Sequence, residues 1–89
     1  MTGFKTLKVT LEYASSYYCN TDITVTSNTI TMATLCGVSS GFNIDDIKEI
    51  RCQYTSSTNV RITALSSGSF TSNINVQVYV LVLPINLNL

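Results

Sequence analysis

IRCQYTSSTNVRITA, residues 50–64, alternates apolar and polar side chains on either side of a run of small turn formers. Ile50, Cys52 and Tyr54 share one face of an extended chain, with Arg51 and Gln53 on the other. Val60, Ile62 and Ala64 repeat the pattern around Arg61 and Thr63. A period of two is that of a half-buried strand. A loop over residues 55–59 sets Tyr54 opposite Val60, Cys52 opposite Ile62 and Ile50 opposite Ala64. All six then fall on one face, and Gln53 opposes Arg61 on the other. Loop length and hydrophobic pattern agree on an antiparallel hairpin.

The same period continues toward the C-terminus. Residues 66–69 form a turn around Gly68, and residues 74–83 read as the last strand. Ile74, Val76, Val78, Val80 and Val82 line one face. Asn75 and Gln77 begin the other face, but Tyr79, Leu81 and Leu83 finish it. A strand apolar on both sides is central in its sheet or covered by another chain. Pro84 lacks a backbone donor and ends central pairing. Beyond it, Ile85-Asn86-Leu87-Asn88-Leu89 still alternates, although chain ends fray unless tied down. Residues 84–89 are therefore read as an assembly tail. Ile85, Leu87 and Leu89, together with Leu81 and Leu83, are the expected assembly interface, either as a strand added to a neighbouring sheet edge or as part of a shared core. The plainer alternative is that the tail completes its own sheet.

Toward the N-terminus, residues 5–14 place Leu7, Val9, Leu11 and Tyr13 on one face and Lys8, Thr10 and Glu12 on the other. Residues 15–20 break the pattern, with Tyr17 and Tyr18 expected in a loop or irregular edge. In residues 21–34, a two-residue turn at Ser27-Asn28 would pair Val25 with Ile30 and Ile23 with Met32, both on one face as a hairpin requires. Asn28 tolerates a positive φ at such a turn. Residues 35–38 are a short apolar piece and residues 39–41 a turn. Residues 43–49 hold the one helical cue, because Asp46 and Glu49 have capping-box spacing.

The predicted fold is all-β: a small antiparallel β-sandwich or barrel of about six to seven strands. Residues 1–89 form one domain, with a core including Leu7, Val9, Leu11, Val25, Ile30, Ile50, Ile62, Val76, Val78 and Val80.

The chain has 89 residues, of which 45% are hydrophobic and only 11% charged, with a net charge of +0. Ordinary soluble domains carry about 25% charged residues, and here Thr, Ser and Asn, roughly a third of the chain, take their place. The five basic residues are scattered and matched by five acidic ones. No basic stripe marks a nucleic-acid footprint, and a surface poor in charge lacks a common guard against association.

Enzymatic chemistry has little to work with. There is no histidine, which removes the commonest general base and metal ligand and every Ser/His or Cys/His arrangement. The four glycines are isolated, so no phosphate loop forms. Cys19, Cys36 and Cys52 are odd in number and lack a CxxC pair. They read as reduced, partly buried thiols in a chain made in the cytoplasm. The first nine residues show no signal-peptide core, and no apolar run approaches the roughly 20 residues of a membrane helix. Asp45, Asp46 and Glu49, near Asn43, fit no EF-hand spacing and read as caps of a short turn. No cofactor is expected.

Two functional readings follow. The first is a non-enzymatic structural subunit of a larger assembly, such as a phage capsid decoration, head-fibre or tail protein. Its partners would be copies of itself or other subunits. The second is a small β-sandwich binding module, for carbohydrate, with Tyr17 and Tyr18 as ligand contacts beside Tyr13.

Overall fold

Each alternating segment becomes a strand. A computed structural model describes residues 1–38 and 42–85. The strands are β1 (Gly3–Ser15), β2 (Tyr18–Thr24), β3 (Thr29–Val38), β4 (Ile47–Ser56), β5 (Asn59–Ser66) and β6 (Ile74–Pro84). A single 3₁₀ turn, Ile44–Asp46, precedes β4. All pairings are antiparallel, in the order β3-β6-β1-β2-β5-β4. The two outer strands, β3 and β4, approach each other without forming a ladder among the described residues, so the sheet curls into a nearly closed barrel.

The β4–β5 hairpin has the register its pattern requires. Ile50 faces Ala64, Cys52 faces Ile62, Tyr54 faces Val60 and Gln53 faces Arg61. Its turn is tighter than five residues, because pairing resumes at Ser56 and Asn59 after a register shift. β6 is central, between β3 and β1, and its Ile74, Val76, Val78, Val80 and Val82 are all buried. Leu11, Cys19, Val25, Val60, Ile62 and Ala64 complete the interior. Leu7, Val9 and Ile50 pack against it while remaining partly exposed.

Long connections close the two ends. At one end, residues 25–28 cross beneath the barrel. Val25 is buried there and donates its N–H to the Thr58 carbonyl, and the Thr26 N–H reaches the Met1 carbonyl. At the other end, the segment joining β5 to β6 carries Phe70, which is buried and packs against Phe42 with ring centroids 5.2 Å apart. Phe70 N–H and Ser66 Oγ both donate to the Ser16 carbonyl, strapping this segment to the β1–β2 turn.

The structure corrects the expected hairpin of Ile23 with Met32. β2 pairs with β1 and β5, whereas β3 pairs with β6, so residues 25–28 span the barrel end instead of joining neighbours. Asn28 does take a positive φ of 58°. β3 also lies one residue out of the expected phase. Thr29 and Thr31 face inward and are buried, and Ile30, expected in the core, is 53% exposed. A one-residue slip exchanges the two faces of a strand. The inward threonines are accommodated because their hydroxyls are bonded: Thr29 to the Thr26 carbonyl and both threonines to Tyr54 Oη. The 3₁₀ turn is capped by Asn43 Oδ1, which accepts from the Asp45 N–H, and not by Asp46. The turn expected at residues 39–41 lies outside the described residues.

Candidate interaction face

Between residues 4–6 of β1, 30–34 of β3 and 79–83 of β6, the outward side chains form three cross-strand rows. Register places Thr34–Tyr79–Thr6 in one, Met32–Leu81–Phe4 in the next and Ile30–Leu83 in the third. Past Pro84, the Ile85 N–H donates to the Asn28 carbonyl at 2.8 Å, which holds exposed Ile85 beside the same face. Phe4 and Tyr79 stack with centroids 5.5 Å apart. Phe4, Met32, Thr34, Tyr79 and Leu81 surround a shallow hollow of about 250 Å³. Phe4 is 63% exposed, Ile30 53%, Met32 50% and Leu83, Ile85 and Tyr79 42–43% each. Isolated apolar side chains at a surface are ordinary, but a contiguous patch is not.

Both ion pairs among the described residues lie on the opposite wall, whereas Lys5, Lys8 and Glu12 are on β1 itself. The three apolar rows contain no charged residue, and Lys8, opposite Gln77, lies in the row beyond them. On the β2-β5-β4 wall, Arg61 makes a two-pronged pair with Asp22 at 2.9 and 3.4 Å, and Arg51 another with Glu49 at 3.0 and 3.1 Å. Each guanidinium, mainly through its hydrogen bonds, holds its partner carboxyl below the usual range. Exposed pairs of this kind contribute little to stability. They keep that wall polar, whereas the face across the barrel presents apolar side chains.

The residues expected at the interface fall as follows. Leu83 and Ile85 are exposed on the apolar face and Leu81 is partly exposed at its centre. Leu87 and Leu89 lie outside the described residues. Phe4, Ile30 and Met32 belong to this face but were not read from the sequence. Phe4 precedes the alternating stretch; the expected hairpin register puts Ile30 in the core and Met32 on the same face, opposite Ile23. Leu81 and Leu83 were the available signal, since an apolar outer face on a central strand requires matching neighbours.

Tyr17 and Tyr18 lie at the other end of the barrel, at the β1–β2 turn and the start of β2. Both are exposed. The Tyr17 ring lies over Gly68, where a Cβ would meet it at 3.6 Å. No ring pair forms among Tyr13, Tyr17 and Tyr18. The ring pairs among the described residues are Phe4–Tyr79 and Phe42–Phe70. A groove of about 220 Å³ opens in the seam between Ala33–Thr34–Leu35 and residues 47–50.

The three cysteines are free thiols, Cys19 fully buried. Burial pushes the Cys19 and Cys52 thiols up from their ordinary values, the reverse of what a nucleophile needs. No metal-ligating cluster forms among the described residues, and no helix is long and apolar enough to cross a membrane. No protein-family model, curated protein or solved structure matches the chain.

Proposed function

We propose that this chain is a non-enzymatic structural subunit of a larger assembly, and that it binds a neighbouring subunit through the outer face of β3, β6 and β1. The carrying observation is the segregation of surface chemistry: a charge-free apolar face on one wall and the ion pairs on the other. Depletion of charge with enrichment of aromatic residues and Met is the composition of an interface core. Three hydrogen-bonded strands hold the face rigid, so little ordering entropy opposes docking. The low overall charge, the Ser/Thr/Asn-rich strands and the absence of histidine favour a virion component, such as a phage capsid decoration, head-fibre or tail protein.

Density-gradient sedimentation of material from the native source tests this. The wild-type chain is expected to travel with a large particle, and Met32→Glu, which puts a charge in the centre of the face, to remain in the slow fractions. A wild-type chain found wholly in the slow fractions would defeat the proposal.

A further inference from the structure

We infer that the occupant of the apolar face is a second copy of this chain, docked sheet against sheet across a two-fold axis; this rests on the reading above, and names its partner. Three observations support a second copy as the occupant. The first is area. Aromatic side chains offer about 150–250 Å² each and aliphatic ones somewhat less, so the exposures of Phe4, Ile30, Met32, Tyr79, Leu83 and Ile85 amount to roughly 500–600 Å² of apolar surface. That is near the largest patch a monomer ordinarily leaves open. With the flanking Thr6 and Thr34, it approaches the roughly 800 Å² that each partner contributes to a standard interface.

The second observation is charge. A charge close to the axis of a self-docking face meets its own image and repels it. The three rows carry none: Lys8 lies in the row beyond them, and Lys5, between Phe4 and Thr6 on β1, falls in the opposite phase of the strand, opposite Val80. A face evolved for a differently charged partner has no need of that restriction.

The third is shape. An isologous interface must be complementary to itself. Here a hollow ringed by Phe4, Met32, Tyr79 and Leu81 lies one row away from exposed Ile30 and Leu83. The offset is two residues along the strand, about 7 Å. A two-fold axis between the rows sets Ile30 and Leu83 of each copy against the hollow of the other. Sheets packed face to face in this way interdigitate at about 10 Å separation.

The test is sedimentation equilibrium of the purified full-length chain from micromolar to millimolar concentration. The expected result is a dimer of the 9.7 kDa chain. Met32→Glu and Met32→Lys, close to the axis, are each expected to be monomeric with an unchanged far-ultraviolet circular dichroism spectrum. Mixing the two is expected to restore a dimer, because opposite charges then meet across the axis. Arg61→Ala, on the opposite wall, keeps the wild-type mass. A wild-type monomer at millimolar concentration overturns the second copy as occupant. It leaves the subunit reading to the gradient experiment, which a hetero-assembly would still satisfy. A dimer untouched by both Met32 substitutions overturns this face as the contact.

Discussion

Tyr54 closes the seam between β3 and β4 with a single hydroxyl. It lies 2.8 Å from both Thr29 Oγ1 and Thr31 Oγ1, and Thr29 donates its own proton to the Thr26 carbonyl. One proton per hydroxyl then fixes the direction of the chain. Thr31 donates to Tyr54, Tyr54 to Thr29 and Thr29 to Thr26. Tyr54→Phe removes the central member: Thr31 loses its acceptor and Thr29, still bonded to the Thr26 carbonyl, loses its donor. It is expected to cost about 1–2 kcal/mol, lowering Tm by about 5–15 °C in a domain of this size. Thr31→Val, which leaves the bond from Tyr54 to Thr29 intact, is expected to be milder. An unchanged melt for Tyr54→Phe would mean that the hydroxyl chain contributes nothing. The buried thiols give a second residue-scale expectation. Cys19 and Cys52 titrate above their ordinary value of 9.0 in the folded chain. In the unfolded chain they ionise at the ordinary value, so their contribution to stability is complete below about pH 9 and is lost as pH rises beyond it. Native-state alkylation at pH 8 is expected to modify Cys19 only as fast as the barrel opens. Labelling of Cys19 at the rate of a free thiol would contradict its burial.

At the scale of elements, the β4–β5 hairpin and β6 were legible because pattern and loop length constrain each other. β4 and β5 are neighbours in sequence and in space, so local information sufficed. β3 was not legible. Its sequence TITMATLCGV supports either phase: Thr fits a half-buried strand almost as well as Ile, and its hydroxyl is harmless once bonded. The phase was decided by Tyr54, distant in sequence, and by the outer residues of β6. Phe70 was missed for a related reason, since it sits outside any alternating run and is buried only because its segment crosses the barrel end. The phase of β3 can be tested directly. Ile30→Thr with Met32→Thr removes two apolar side chains from the outside, and is expected to change monomer stability by less than about 1 kcal/mol. In the alternative phase both would be core residues, and the pair would cost several kcal/mol. Urea denaturation at low protein concentration distinguishes the two.

At the scale of the whole molecule, the barrel separates what folds it from what it shows to others. The interior is filled by Val, Ile, Leu and Phe70, while the apolar residues outside β3, β6 and β1 add little to the fold of one chain. Deleting residues 85–89 probes that separation. Within the described residues the deletion removes exposed Ile85 and one backbone bond, from its N–H to the Asn28 carbonyl, a loss of about 1 kcal/mol. The truncated chain is expected to keep its circular dichroism spectrum and melt only a few degrees lower. Its association should suffer more, because an interface loses the apolar area outright. Association that stabilises the folded state makes Tm rise with protein concentration. The wild-type Tm is therefore expected to climb between micromolar and millimolar chain, and that of the truncated chain to climb less or not at all. If the truncated chain is unfolded at every concentration, residues 85–89 belong to the core of their own barrel. The apolar face would then end at Leu83, and the contact would have to be built from Phe4, Ile30, Met32, Tyr79, Leu81 and Leu83.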